Sequence, residues 1–144
     1  MKKNTLVIFI LFILLNFTQL SASYKGTYFE EGKKLFENKK YENSKFYFEK
    51  DIVYNPKSEN SYLYLAKIFK QEKNDSLEEN NLDTVLLLNP KNEEAIYLLT
   101  LLSVKKSNFS KAKELITTMS IVCKKMCSKL SELEEKLDSS LKIK

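Results

Sequence analysis

The 144-residue chain lacks histidine, arginine and tryptophan, and it contains only two glycines and two prolines. Without histidine it has neither the usual general base at neutral pH nor the commonest metal ligand, and without arginine it has no bidentate clamp for phosphate. So few glycines exclude a glycine-rich phosphate loop and disfavour a sheet with many tight turns. What remains is a lysine-, glutamate- and leucine-rich chain, for which we expect an all-α fold and no catalytic residue, metal or cofactor.

The N-terminal segment has the pattern of an export signal. Lys2 and Lys3 precede an unbroken apolar run at 6–15, and small residues at 21–23 provide a cleavage site before Tyr24. Ten apolar residues are short of the roughly 20 that span a bilayer, so we predict a signal peptide over residues 1–23 rather than an anchor. Its removal lowers the net charge from +5 to +3, which argues little about partners.

The clearest internal signal is a repeat. Asn-Pro-Lys occurs at 55–57 and again at 89–91, so one step along the chain carries Pro56 to Pro90. The same step relates Glu59 to Glu93, and it extends to the pairs Lys39/Lys73, Phe48/Leu82, Val53/Leu87 and Leu65/Leu99. Chance recurrence in a biased composition does not readily place identical triplets in register with apolar periodicity.

The length of this step, about 34 residues, and the side chains that recur with it resemble the tetratricopeptide-repeat (TPR) family. Repeats are placed at 25–58, 59–92 and 93–126, and the positions that match the family pattern are Tyr28, Gly32, Tyr41, Phe48, Tyr62, Leu65, Ala66, Leu82, Ile96, Leu99, Phe109, Ala112 and Ile116. Asp51, Glu78 and Thr100 depart from it, because each stands where the family has a small residue. The resemblance implies an alpha-alpha superhelix of three helix-turn-helix repeats.

Helical periodicity supports the same fold independently. Tyr62, Leu65, Ala66 and Phe69 recur on one helical face, and Asp75-x-x-Glu78 predicts a capping box before the next apolar stripe. Leucines spaced along 128–142, with charged residues between them, predict a C-terminal capping helix, while a short coiled-coil seam is the alternative. We expect seven helices in one TPR domain, 24–144.

The two cysteines, Cys123 and Cys127, lie between the last repeat and the capping helix. Residues four apart in one helix are poorly placed for a disulfide, but a turn brings them together. Here the sequence is similar to small exported bacterial TPR proteins that end their last repeat with Cys-x3-Cys. We hypothesise a structural disulfide, with free thiols, a redox pair or a metal site as alternatives.

TPR arrays bind an extended peptide or helix along their concave face, so the resemblance also implies a partner-binding groove. Its predicted residues mix apolar side chains with lysines: Phe29, Lys33, Phe36, Asn60, Leu63, Lys67, Lys70, Glu94, Tyr97, Leu101, Val104 and Lys105. Such a groove suits a segment with apolar anchors and acidic groups. The alternative is that Phe29 and Phe36 pack against neighbouring helices and that the lysines are simply solvated.

The expected function is therefore that of an exported, periplasmic scaffold that binds a protein or peptide, and not an enzyme. Nucleic acid is not expected, because no dense basic block contains stacking aromatic residues. No small-molecule substrate is expected either. The alternative is a structural or regulatory subunit of an envelope complex, anchored in the inner membrane by an uncleaved N-terminus. For the location, secretion is a further alternative to the periplasm.

Overall fold

The computed structural model describes residues 26–142, and these are helical throughout apart from short turns. Seven α-helices occur in that range: α1 (Thr27–Glu37), α2 (Tyr41–Tyr54), α3 (Glu59–Gln71), α4 (Asp75–Leu88), α5 (Glu93–Lys105), α6 (Phe109–Val122) and α7 (Leu130–Lys142). A 3₁₀ turn, Cys127–Lys129, precedes α7. The all-α prediction is confirmed, whereas the predicted signal peptide, 1–23, lies outside the described residues. None of the helices between residues 26 and 142 has the length and apolar character needed to cross a membrane.

Equivalent turns join the two helices of each pair. Lys39, Lys73 and Ser107, which occupy the same position in the three pairs, all adopt the left-handed conformation, with φ of 59°, 57° and 57°. In the second pair the N–H of Asn74 donates to the carbonyl of Phe69 at 2.9 Å, and the N–H of Lys73 donates to that of Lys70 at 3.1 Å. This is the Schellman pattern of helix termination, in which the left-handed residue is normally glycine.

Asparagine side chains cap the N-termini of three of the helices. The Oδ1 atoms of Asn74, Asn92 and Asn108 accept hydrogen bonds from N–H groups three residues later, at 3.2, 2.9 and 3.2 Å. The predicted capping box at Asp75 and Glu78 is therefore wrong. Asn74 caps α4, and Glu78 is buried in the first turn, with 4% of its surface exposed.

The chain forms two compact units that divide after Pro56. The first contains α1 and α2, which pack through Gly32 and the fully buried Phe48. A Cβ atom added at Gly32 would lie 2.8 Å from the Phe48 ring, so this close helix contact requires glycine. The buried Ser44 hydroxyl donates to the carbonyl of Gly32 at 2.7 Å and reinforces the contact.

The second unit contains α3 to α7 and holds the larger core. Its main cluster includes the fully or almost fully buried side chains of Leu82, Val85, Ile96, Leu99 and Met119. A second cluster, formed by Ala112, Ile116, Leu133 and Leu137, attaches α7 to α6. Apolar residues at helical spacing thus bury one face of each helix, as the repeat pattern predicts.

Thr100 illustrates how a departure from the family pattern is accommodated. It is fully buried, and its hydroxyl donates to the carbonyl of Ile96 one turn earlier at 2.7 Å. Because a buried hydroxyl is costly only when it lacks a partner, threonine is tolerated at this position.

Ion pairs link the two helix pairs of the second unit along one side. Lys105 Nζ lies 2.6 Å from Asp75 Oδ1, and Lys111 Nζ lies 2.9 Å from Glu79 Oε1 and 3.1 Å from Asp83 Oδ1. Lys111 is near the start of α6 and Asp83 is near the middle of α4, so these two parts of the helices lie close together. Surface ion pairs contribute little each, but together these pairs connect α4 with both helices of the following pair.

Candidate peptide-binding groove

Two adjoining pockets lie along the second unit where the ends of α3, α5 and α7 approach one another. The first encloses about 110 Å³ and is lined by Lys70, Glu78, Leu101, Leu102 and Lys105. The second encloses about 420 Å³ and is lined by Leu101, Val104, Lys105, Lys136, Ser139 and Ser140. Because Leu101 and Lys105 line both, the two pockets form one surface, which we call the candidate groove.

The chemistry of the candidate groove is amphipathic. Lys70, Lys105 and Lys136 come from three different helices, and all three are exposed at its sides. Leu101 and Val104 provide an apolar floor that is half-buried against the α6–α7 core cluster. Lysines beside aliphatic side chains can bind a chain segment that carries both carboxylates and an apolar side chain.

Glu78 is the one acidic residue that lines the first pocket. Its burial raises the pKa of the carboxyl group, and the neighbouring ammonium groups of Lys70 and Lys105 only partly oppose this effect. Lys105 is also paired with Asp75 at 2.6 Å. An incoming carboxylate would therefore meet lysines whose positive charge is already partly balanced.

At the α7 side, Tyr97 joins the third repeat to the C-terminal helix. Its hydroxyl donates to Glu132 Oε1 at 2.8 Å, and Lys129 Nζ lies 2.9 Å from Glu132 Oε2. Desolvation and this hydrogen bond raise the pKa of Tyr97, while Lys129 and Tyr97 lower the pKa of Glu132 through their hydrogen bonds. The α7 helix is thus held against the face that carries Leu101, and it forms one wall of the candidate groove.

Other groove residues predicted in the second unit lie elsewhere. Leu63 is 5% exposed and belongs to the main core cluster. Lys67 pairs with Glu94 at 2.7 Å and lies 4.6 Å from the centre of the Tyr64 ring. Asn60 is exposed near the start of α3. None of these side chains lines the two pockets described above.

Predicted groove residues of the first unit pack within their own helix pair. The rings of Phe29 and Phe48 have centres 5.8 Å apart, and those of Phe36 and Tyr41 are 5.3 Å apart in an edge-on arrangement. Lys33 is half-buried on α1. Phe29 and Phe36 therefore contribute to the packing of α1 on α2.

Sequence reasoning missed five residues that line this surface: Glu78, Leu102, Lys136, Ser139 and Ser140. Lys136, Ser139 and Ser140 follow the last repeat, where the repeat period no longer assigns positions. The spacing of Asp75 and Glu78 predicts a capping role for Glu78, but Glu78 also stands at a family position for small residues, and that position is the signal that it is buried.

The cysteines lie within the second unit, in the turn that the sequence predicts. Cys123 follows the last residue of α6, Cys127 begins the 3₁₀ turn, and a disulfide joins them with a Cα–Cα distance of 5.2 Å. Within residues 26–142, no three His, Cys, Asp or Glu side chains come together to hold a metal ion.

Comparisons with known proteins identify the fold. No protein-family model and no curated protein matches the sequence. Solved structures do match, although at low identity. The first TPR of Spaghetti (RPAP3) bound to the HSP90 peptide SRMEEVD is 17% identical, with a TM-score of 0.71 over 80% of this chain and 90% of that chain.

Two further structures agree with this match. The Sgt2 TPR domain from Aspergillus fumigatus is 13% identical, with a TM-score of 0.64 over 84% of this chain and 79% of that one. A chain of the CopN–Scc3 complex is 16% identical, with a TM-score of 0.63. The match covers 77% of this chain and 65% of that one. The similarity in structure, together with the helix pairs and their regular spacing along the chain, shows that this protein has the tetratricopeptide-repeat fold.

Proposed function

We propose that the protein is an exported interaction scaffold that binds an acidic, partly apolar segment of another protein in the candidate groove. The observation that carries this proposal is the pair of adjoining pockets, which lysines from three helices line together with Leu101 and Val104. The peptide bound by the RPAP3 TPR, SRMEEVD, combines three acidic residues with a methionine and a valine. A ligand of the same chemistry fits the surface described here.

Binding would combine weak contacts. Each exposed lysine contributes at most about 1 kcal/mol to a carboxylate contact, so specificity depends on several of them acting together. An aliphatic side chain that reaches Leu101 and Val104 adds apolar burial at about 25 cal/mol per Å². This division of roles is typical of a module that binds peptides reversibly.

A peptide array tests the proposal. Fluorescently labelled protein is applied to heptapeptides of varied charge and apolar content, beside a variant carrying Lys70→Gln, Lys105→Gln and Lys136→Gln. We expect wild-type protein to select acidic peptides with an aliphatic residue, and the variant to bind them on the order of tenfold more weakly.

The matched control carries Lys34→Gln, Lys40→Gln and Lys113→Gln, which remove the same charge at exposed sites that line neither pocket. Retention of neutral or basic peptides, or equal weakening by both triple variants, would contradict the proposed groove.

The proposed compartment is the periplasm, and the N-terminal pattern at 1–23 supports export. Intact mass of the protein recovered from its host distinguishes the soluble scaffold from the membrane-anchored subunit. A chain that begins at Tyr24 indicates the cleaved form, whereas a chain that retains the apolar run at 6–15 indicates the anchored or otherwise unprocessed form.

A further inference from the structure

Three apolar side chains are exposed at the same position of each helix pair. Val53, Leu87 and Ile121 recur with the repeat period, and they are 74%, 83% and 78% exposed. Each stands in the last turn of the second helix of its pair. Isolated exposed aliphatic residues need no explanation, but their recurrence at one repeat position indicates a shared surface role.

A lysine follows each of these residues by four positions. Lys57, Lys91 and Lys125 are exposed, and Lys124 adds a further exposed charge. No acidic residue occurs in 84–92 or in 115–131. Lysines near helix C-termini also complement the helix dipole, but that role does not account for the apolar residues beside them.

Hydrogen bonds place the two turns of the second unit side by side. Glu93, which follows the turn containing Lys91, accepts hydrogen bonds from the backbone N–H groups of Lys125 at 2.9 Å and Met126 at 2.6 Å. Leu86 and Val122, the neighbours of Leu87 and Ile121, pack against the same core cluster. These contacts define one surface, the basic edge, formed by Leu87, Lys91, Ile121, Lys124 and Lys125.

The acidic groups near the basic edge are engaged by the protein itself. The Glu93 carboxylate faces the backbone N–H groups of the cysteine turn, and Glu132 is bound by Lys129 and Tyr97. Glu59 accepts hydrogen bonds from the side chains of Asn89 and Asn92. The outward-facing charge of this edge is therefore positive.

We propose that the basic edge binds an anionic lipid surface, with Leu87 and Ile121 entering the headgroup region and the lysines contacting lipid phosphates. Apolar side chains that enter the interface and lysines attracted to anionic lipids both contribute to peripheral membrane binding, with about 1 kcal/mol for each lysine near the surface. Lysine, the only basic residue type present, contacts phosphate as a point charge and needs no fixed geometry. Nucleic acid fits less well, because the basic edge has no aromatic residue on which bases could stack.

The absence of tryptophan permits a direct test on the full chain. Single tryptophans are introduced as Leu87→Trp or Ile121→Trp, and Leu77→Trp serves as the control near the other end of α4, about 15 Å away along the helix. Each protein is mixed with vesicles of phosphatidylcholine alone or with added phosphatidylglycerol. Emission is then recorded with and without brominated acyl chains as quenchers.

We expect a shift to shorter wavelength, and quenching by brominated lipid, at positions 87 and 121 with anionic vesicles only. Adding Lys91→Gln, Lys124→Gln and Lys125→Gln to Ile121→Trp should abolish both effects. Adding the control substitutions Lys34→Gln, Lys40→Gln and Lys113→Gln to the same protein should leave both effects intact. A retained N-terminal apolar run would tether all variants equally and cannot produce a difference between positions.

Three results would overturn the proposal. One is the absence of a shift at both edge positions, and another is an equal shift at position 77. The third is a shift that appears without vesicles and grows with protein concentration, which would show that the basic edge contacts a second copy of the chain.

Discussion

The carboxylate of Glu93 and the backbone N–H of Met126, 33 residues apart, form a hydrogen bond of 2.6 Å. The same carboxylate accepts a bond from Lys125 N–H at 2.9 Å, so the first residue of α5 holds the turn that contains the disulfide. Glu59, which occupies the same position in the preceding repeat, plays the matching role for the preceding turn, where it accepts a bond from Asn89 Nδ2 at 2.9 Å. A glutamate at the start of a repeat thus fixes the turn that ends it.

Substitution of Glu93 by alanine should lower the melting temperature at pH 7. The N–H groups of Met126 and Lys125 hold the pKa of Glu93 below its ordinary value of 4.5, which means that folding favours the charged form. This contribution is present above pH 4.5 and is lost as the pH falls through the lower pKa of the folded state.

Thermal unfolding of wild type and Glu93→Ala from pH 7 to pH 3 measures the effect. The two melting curves should converge in acid. Glu114→Ala, at an exposed site of α6, should melt like wild type at every pH, and a constant difference between Glu93→Ala and wild type would contradict the role of the charge.

Replacing Glu78 by glutamine should stabilise the protein at neutral pH. Burial raises the pKa of Glu78 in the folded state, so its charged form disfavours folding there. The difference in free energy of unfolding between wild type and Glu78→Gln therefore favours wild type most below pH 4.5. This advantage is lost as the pH rises through the raised pKa of the folded state. Chemical denaturation at pH 4 and pH 7 should show a gain from Glu78→Gln that is larger at pH 7; a loss at pH 7 would show that its attraction to Lys70 and Lys105 dominates.

Reduction of the Cys123–Cys127 disulfide should cost about 2 kcal/mol or less, because the bridge closes a very short loop. Urea unfolding of the oxidised protein and of Cys123→Ser/Cys127→Ser gives the difference, and titration of the unreduced protein with a thiol reagent should find no free thiol. Two free thiols would contradict a disulfide in the native protein.

Replacing the native residue by glycine at the left-handed turn positions should stabilise the protein. Ser107 has φ of 57°, a conformation that costs an L-residue about 1 kcal/mol and glycine little. Ser107→Gly and Lys73→Gly should therefore each raise the free energy of unfolding by up to that amount. The matched control, Lys113→Gly within α6, should lower it by about 1 kcal/mol, and a loss at Ser107 would contradict the interpretation.

The repeat architecture could be predicted from the sequence because it depends on local properties. Helical periodicity, the Asn-Pro-Lys step between Pro56 and Pro90, and the position of Cys123 after an expected helix end each act within a few residues of chain. Such short-range preferences, repeated three times, determine where helices begin and end, and they led to the TPR fold that the structural comparisons confirm.

Only the tertiary structure decided which side chains are available to a partner. Glu78 has the local features of a capping residue, but Asn74 provides the cap of α4. Glu78 is instead buried near Lys70 and Lys105. Lys136 became a groove residue only when α7 packed against α5 and α6. Burial depends on what a distant helix covers, and that information lies in long-range packing rather than in the spacing of residues along one helix.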